Sequence, residues 1–276
     1  AVVSRVLVAM VLLVGVAACG KKDGTPTGPS APAVTSTGVA LSSAKDLILI
    51  GELQQLTLTA TFSDGSSRAV TGNWTSDAPG VATVSSTGEI RGAGPGEGTV
   101  SVEFEGRRAS HRLRVVPDFS GRWEGAYREV SCEATIDWRG ACDDADTNTR
   151  WSMAIDFSQD RAQVSGSVQP YSDATIPTTG QVALSGTLSQ AGTLPVTDGI
   201  GVLDLDIIDW STVSTDNRNM TGSFKVRYVH RKFQGALTLT LQLDPMAKVG
   251  AATKGTGAGR AGHAPARALR LPARMR

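Results

Sequence analysis

Apolar and polar residues alternate with a period of two along much of this 276-residue chain. Trp151, Met153, Ile155 and Phe157, for example, alternate with small or polar residues. A period of two places successive side chains on opposite faces of a β-strand. Residues 39–117 show no helical period at all. We therefore predict an all-β protein.

The N-terminal segment is an apolar run, Val6–Val16, that ends in Val16-Ala17-Ala18-Cys19. The run is too short to cross a bilayer, which takes about 20 helical residues, and it fits the apolar part of a signal peptide. The small residues before Cys19 resemble the lipobox of bacterial lipoproteins. The resemblance implies a signal peptide at 1–18, lipidation of Cys19, and a lipid-anchored protein of the cell envelope, on the outer membrane or cell surface. A plain signal peptide with an incidental cysteine is the alternative.

Two segments have too few apolar residues to form a core. Residues 19–38 are rich in Gly, Pro, Ser and Thr and predict a flexible linker. Residues 247–276 predict a disordered basic tail. The last 29 residues hold seven basic groups and no acid, so the rest of the chain is net acidic. This excess of acid argues against a nucleic-acid partner, because phosphate binding needs clustered Lys and Arg.

Residues 39–117 contain short alternating runs separated by turn-forming residues. In one of these runs Leu56, Leu58, Ala60 and Phe62 share a face, and a turn at residues 63–66 follows. The glycine-dense segment 92–98 leads into a strand, and we predict a hairpin turn there.

The same region resembles the bacterial immunoglobulin-like (Ig-like) domain, group 2. The residues that carry the resemblance are Leu49-Ile50-Gly51-Glu52, Trp74-Thr75-Ser76-Asp77, Val81-Ala82-Thr83-Val84, Ser86-Thr87-Gly88-Glu89-Ile90 and the segment 94–99. The resemblance implies a β-sandwich with Trp74 in its core and a role in extension, carbohydrate contact or adhesion. It supplies no catalytic residues.

Residues 118–246 contain longer strands, and we predict seven or eight antiparallel ones at 121–130, 151–157, 164–168, 182–188, 202–208, 224–229 and 237–243. A recurring pattern places Gly166, Gly186, Gly222 and Gly235 inside strands, between apolar neighbours. Glycine at such positions permits the bending that closes a barrel.

The start of this region, Gly121-Arg122-Trp123, resembles the first strand of lipocalin-like and avidin-like barrels. The resemblance implies an up-and-down β-barrel in which Trp123 closes the base. A ligand cavity would then be lined by Tyr127, Trp151, Met153, Phe157, Leu205, Phe224 and Tyr228. Barrels of eight strands either fill their interior or hold one small ligand, and the sequence leaves both outcomes open.

Cys132 and Cys142 form an even pair in a chain predicted to be exported, and they predict a disulfide. The loop between them is either a lid or contact surface at the barrel mouth, or a solvated loop that the disulfide braces. Asp144, Asp146 and Asn148 have the spacing that starts a calcium loop, but the required Gly and Glu are missing and Ile155 occupies the last position. We predict no metal site.

The sequence gives little indication of catalysis and predicts no cofactor; His230 or Asp204 buried in a cleft beside a second titratable group would favour an enzyme. His111 and His230 have no neighbouring nucleophile motif, and Asp204, Asp206 and Asp209 are expected on an outward strand face. The hypothesis is a non-catalytic, lipid-anchored envelope protein whose Ig-like domain presents a barrel that binds a small apolar or envelope-derived ligand. The alternative is a structural or adhesive surface protein with a packed barrel, whose loops contact polysaccharide or protein.

Overall fold

The computed structural model describes residues 33–42, 44–143, 147–168, 175–197 and 200–249. The predicted signal peptide, Cys19, residues 19–32 of the linker, the tail from residue 250 onward, and Asp144 and Asp146 lie outside the described residues. Within the described part of the chain, no helix is long and apolar enough to span a membrane.

The N-terminal region is a β-sandwich. Its strands are β1 (Ser36–Leu41), β2 (Leu47–Leu49), β3 (Leu53–Gln55), β4 (Leu58–Phe62), β5 (Ser67–Val70), β6 (Asn73–Ser76), β7 (Ala82–Val84), β8 (Glu89–Gly92), β9 (Gly96–Phe104) and β10 (Arg107–Val116). They form sheets in the orders β1-β4-β5, β2-β10-β9-β6 and β3-β8-β7. Strand β2 runs parallel to β10, and the other pairs are antiparallel.

The alternation read from the sequence determines which side chains of the sandwich are buried. Leu56, Leu58, Ala60 and Phe62 are all buried, as predicted. The core cluster consists of Ile48, Leu56, Ala82, Ile90, Val100, Leu113 and Val115. These residues come from strands of different sheets, so the sheets pack face to face.

Two predictions for the sandwich need correction. Trp74 is half-buried, because it lies on the edge strand β6, and it packs against the core from one side. The segment 92–98 is not a hairpin turn. It connects β8 to β9, which belong to different sheets, and Gly94 passes so close to the backbone that a Cβ there would lie 2.6 Å from the Gly80 carbonyl oxygen.

The C-terminal region is a closed antiparallel barrel of eight strands, each paired with its neighbours in sequence, with β18 returning to β11. The strands are β11 (Gly121–Ala134), β12 (Arg150–Asp160), β13 (Gln163–Val168), β14 (Ile176–Val182), β15 (Thr187–Thr197), β16 (Val202–Val213), β17 (Asn219–His230) and β18 (Leu237–Val249). A 3-10 helix, Ile136–Trp138, follows β11. The up-and-down barrel predicted from the sequence is confirmed.

The predicted strand at 182–188 is wrong. Residues 183–186 form a tight turn between β14 and β15, in which the Gly186 amide donates to the Ala183 carbonyl and Gly186 has a φ of +84°. Gly235 also lies outside the strands, with a φ of +86°. Gly166 and Gly222 lie inside strands as predicted, and a Cβ at Gly222 would come within 2.1 Å of the Ser211 carbonyl oxygen. These two glycines therefore permit the close strand approach that curvature requires.

Trp123 closes the end of the barrel nearest the sandwich. Its side chain is fully buried, and its indole N–H donates to the Phe119 carbonyl at 2.8 Å. The Lys248 ammonium lies 5.7 Å from the ring and pairs with the Asp118 carboxylate at 2.8 Å. Burial raises the pKa of Asp118, but hydrogen bonds from Lys248 and Ser120 outweigh burial and hold this pKa below its usual range. The first and last strands are thus fastened together at this end.

The sandwich and the barrel belong to one compact unit. Val116, at the end of β10, is part of the barrel core, and Leu47 and Leu49 of β2 pack against that core. Asn217 bridges the two regions: its side-chain amide donates to the Ile50 carbonyl at 2.7 Å, and its Oδ1 accepts from the Asp118 amide at 2.8 Å. The barrel is therefore held in a fixed orientation on the sandwich.

We expect Asn217→Gly to lower the free energy of unfolding by about 1–2 kcal/mol, because two bridging hydrogen bonds are lost. Glycine tolerates the φ of +58° at this position, so backbone strain does not contribute to the loss. Denaturant unfolding of the full chain measures the change. Asn217→Asp keeps the acceptor for the Asp118 amide but has no donor for the Ile50 carbonyl, so it should also be less stable than the wild type. Equal stability of all three proteins would show that Asn217 does not fasten the junction.

Candidate ligand-binding site at the distal end of the barrel

The two ends of the barrel differ in how completely side chains fill them. In the half nearest the sandwich, Trp210 stacks on Phe224 with ring centroids 4.5 Å apart, and Phe157 meets Trp210 edge-on at 6.3 Å. All three side chains are at least 96% buried. Together with Trp123 they fill this half of the barrel.

Several apolar residues remain half-exposed at the opposite end, which we call the distal end, and four of them line the barrel. They lie on the inward-facing phase of β12, β15 and β16, and all four pack against the barrel core. We call them the distal apolar ring: Trp151, Leu194, Val196 and Leu203. Apolar surface exposed at the mouth of a barrel is a common place for a ligand to bind.

The structure divides the seven residues predicted to line a cavity between the two ends. Phe157 and Phe224 lie in the filled half, and Met153 is buried next to them on the inward face. Tyr127 pairs in register with Trp151, and Tyr228 with Leu205, so these four lie towards the distal end. Of the seven residues, only Trp151 is half-exposed.

Three polar side chains of the barrel interior influence one another: Tyr127, Glu129 and Tyr228. Each of the three is at most 3% exposed. Burial raises the pKa of the Tyr127 hydroxyl, and the charge of Glu129 raises it further. Burial also raises the pKa of Tyr228, with added contributions from Tyr127 and Glu129. The three groups therefore interact electrostatically inside the barrel.

The Tyr228 hydroxyl has no hydrogen-bond partner among the described residues, although it is completely buried. A buried hydroxyl without a partner costs about 1–3 kcal/mol. Such groups are uncommon in native proteins and call for an explanation.

The loop between the two cysteines caps part of the distal end. Cys132 and Cys142 form the predicted disulfide, and both pack against the barrel core. The loop's Trp138 is fully buried in that core. The Asp137 carboxylate accepts from the Gln234 amide at 2.9 Å, which ties the loop to the β17–β18 connection. The loop is thus neither a free lid nor a purely solvated one, because a buried tryptophan anchors it.

The residues considered for catalysis do not assemble into an active site. Asp204, Asp206 and Asp209 pair on the outer face with Arg231, Arg227 and Lys225, as the outward phase predicted. His230 is buried at the distal end with its ring 4.8 Å from that of Phe233, and its Nδ1 accepts from the Lys232 amide. Across the described ranges, no three His, Cys, Asp or Glu side chains are grouped to hold a metal ion.

Sequence reasoning missed four residues of this site: Glu129, Leu194, Val196 and Leu203. Glu129 follows Trp123 and Tyr127 at even spacing on β11, so its inward direction could be read from the alternation. Leu194 and Val196 belong to β15, whose inward face also holds Gln190 and Gly192. Gln190 and Gly192 interrupt the apolar pattern of β15, and this strand was not predicted.

Comparison with known families identifies the sandwich. Residues 35–104 match the family model of the bacterial Ig-like domain (group 2). The sandwich is therefore an Ig-like domain, as the sequence resemblance implied, and the match does not extend to the barrel. No curated protein matches the chain significantly.

Two solved structures are similar to the chain at a low level. One is the S-layer protein SbsC, domains 5-6, with 14% identity, a TM-score of 0.27, and coverage of 76% of this chain and 98% of that one. The other is the surface layer protein SbsC, domains 4-9, with 14% identity, a TM-score of 0.28, and coverage of 75% of this chain and 31% of that one. Similarity at this level does not establish a common fold or function.

Replacing Cys132 and Cys142 together by Ser should lower the free energy of unfolding by about 2–3 kcal/mol, because the short loop is no longer closed in the unfolded chain. Urea unfolding under oxidising conditions measures the loss. Reduced wild-type protein is the matched control and should unfold like the double variant. An unchanged midpoint for both would show that the buried Trp138 alone holds the loop.

Proposed function

We propose that this chain is a non-catalytic, lipid-anchored protein of the cell envelope, in which the Ig-like domain holds the closed end of the barrel and the distal end binds a small apolar or envelope-derived ligand. The observation that carries the proposal is the difference between the two ends. One end is filled and faces the Ig-like domain, whereas the other exposes the distal apolar ring.

The junction supports this arrangement. Val116 in the barrel core and the Asn217 bridge fix the barrel on the Ig-like domain. A fixed orientation keeps the distal end pointing away from the Ig-like domain. A module that presents a binding end needs such a connection.

The lipid anchor is a separate part of the proposal, supported by the apolar run and by Val16-Ala17-Ala18-Cys19. Several acyl chains would hold the protein stably on a membrane. We expect the wild-type chain, expressed in a lipoprotein-producing bacterium, to enter the detergent phase of a Triton X-114 extraction. Cys19→Ala should move it to the aqueous phase. If the two proteins partition alike, Cys19 carries no anchor.

Ligand binding is tested with N-phenyl-1-naphthylamine, an apolar probe whose fluorescence rises on binding. The full chain carries Cys19→Ala, so that no acyl chain competes for the probe. We expect saturable binding that Leu203→Asp reduces at least tenfold, because a charge in the distal apolar ring opposes burial of an apolar group. Leu53→Asp is the matched control, since Leu53 is 56% exposed on the Ig-like domain and its replacement should change nothing.

The second candidate is the structural or adhesive surface protein, and the filled half of the barrel favours it. In that case the loop between Cys132 and Cys142 would contact polysaccharide or protein. Absence of saturable probe binding, or equal effects of Leu203→Asp and Leu53→Asp, would decide for this candidate.

A further inference from the structure

Trp138 lies in the loop between Cys132 and Cys142, and its side chain is fully buried in the barrel core cluster. Its indole N–H has no hydrogen-bond partner among the described residues. A buried donor without an acceptor disfavours the conformation that buries it, because the same N–H bonds to water when it is exposed. Burial of the Trp138 side chain is therefore opposed by its own polar atom.

A second, independent feature of this loop also opposes its closed conformation. Ile136 has a φ of +48°, although it is β-branched, and its side chain is 52% exposed. A β-branched residue rarely adopts this left-handed conformation, because its Cβ then lies too close to the backbone. Backbone strain of this kind persists only where surrounding contacts maintain it, and it is concentrated at sites that move or bind.

The contacts that tie the loop to the β17–β18 connection are hydrogen bonds at the surface. The Asp137 amide donates to the Gln234 carbonyl at 3.2 Å, and the Gln234 amide donates to the Asp137 carboxylate at 2.9 Å. The Thr135 amide donates to the Ala236 carbonyl, and the Ala236 amide donates to the Thr135 hydroxyl, both at 3.0 Å. Water can replace the partners of exposed groups at little cost in free energy.

Both ends of the loop are fixed to the barrel. Cys132 pairs in register with Leu239 of β18, and its disulfide holds Cys142. The segment 135–141, which we call the lid segment, can therefore lift while the disulfide and the strand pairing stay intact. Lifting it gives the Trp138 indole N–H access to water and releases the strain at Ile136, but it also removes an apolar side chain from the core.

We propose that the lid segment opens, and that the space left by Trp138 takes a flat apolar group of the size of an indole. This proposal rests on the proposed ligand-binding function and states where the apolar part of the ligand lies. A bicyclic hydrocarbon group has the shape of an indole but no N–H, so it restores the apolar burial without burying a donor.

The first test is hydrogen exchange of the tryptophan indole groups, followed by NMR on the full chain carrying Cys19→Ala and without ligand. Trp138→Phe identifies the Trp138 signal. Trp123 is the internal control, since its indole is equally buried but donates to the Phe119 carbonyl. We expect the Trp138 indole N–H to exchange at least about a hundredfold faster than that of Trp123, because local opening exposes it without global unfolding.

Two variants of the lid segment should change this exchange rate in opposite directions. Asp137→Ala removes the acceptor of the Gln234 amide and should raise the rate several-fold. Ile136→Asn should lower it, because asparagine tolerates a positive φ and stabilises the closed loop. Asp160→Ala is the matched control, since Asp160 is exposed at the other end of β12, and it should leave the rate unchanged.

The second test is binding of N-phenyl-1-naphthylamine, whose naphthyl ring is bicyclic like an indole. We expect Trp138→Ala to tighten binding at least about tenfold, because the probe no longer has to displace a side chain. Asp137→Ala should also tighten binding, and it replaces Trp138→Ala if that variant does not fold. Trp74→Ala removes a half-buried tryptophan from the Ig-like domain and should leave the affinity unchanged.

Different outcomes bear on the lid segment and on the proposed function. Equal indole exchange at Trp138 and Trp123 would overturn the opening of the lid segment without any ligand. Saturable probe binding that neither Trp138→Ala nor Asp137→Ala tightens would leave the distal apolar ring as the site and overturn the use of the Trp138 space. If the exchange rates are as expected but no probe binds to any variant, both the proposed ligand-binding function and the occupant of that space fail.

Discussion

Closure of the barrel between its first and last strands is the constraint on which the rest of the structure depends. Strand β11 pairs with both β12 and β18, so no strand edge is left open. Where β11 begins, Trp123 fills the interior while Lys248 of β18 reaches across to Asp118. The same few residues close the sheet, seal one end, and continue directly into the connection to the Ig-like domain.

The two ends of the barrel are packed differently. The end facing the Ig-like domain is filled with aromatic side chains that pack on one another. The distal end instead carries the buried Tyr228 hydroxyl, which weakens a core because it has no hydrogen-bond partner among the described residues. One end of the barrel is thus well packed, whereas the other carries the distal apolar ring on which the proposed binding depends.

The fold could be read from the sequence wherever large apolar residues mark the inward phase. This was so for β12 and β18, and for the Leu56–Phe62 face of the Ig-like domain. The prediction of a strand at 182–188 failed, because Val182, Leu184 and Leu188 continue the apolar alternation through a turn. It also failed for β15, because Gln190 and Gly192 occupy inward positions there. Alternation reports the direction of side chains, but it does not report whether the backbone between them reverses.

The candidate site was predicted less well than the fold, for a related physical reason. Large apolar residues identify positions that are buried, and so Phe157 and Phe224 were predicted as cavity lining although they pack against Trp210. A binding site is marked instead by exceptions to good packing, which depend on neighbours from other strands. Glu129 is such an exception, since it is a charged residue at an inward position: its phase on β11 is visible in the sequence, but its pairing with Leu241 arises only when the barrel closes. The filled half therefore follows from composition and period, whereas the distal end follows from the register in which the eight strands meet.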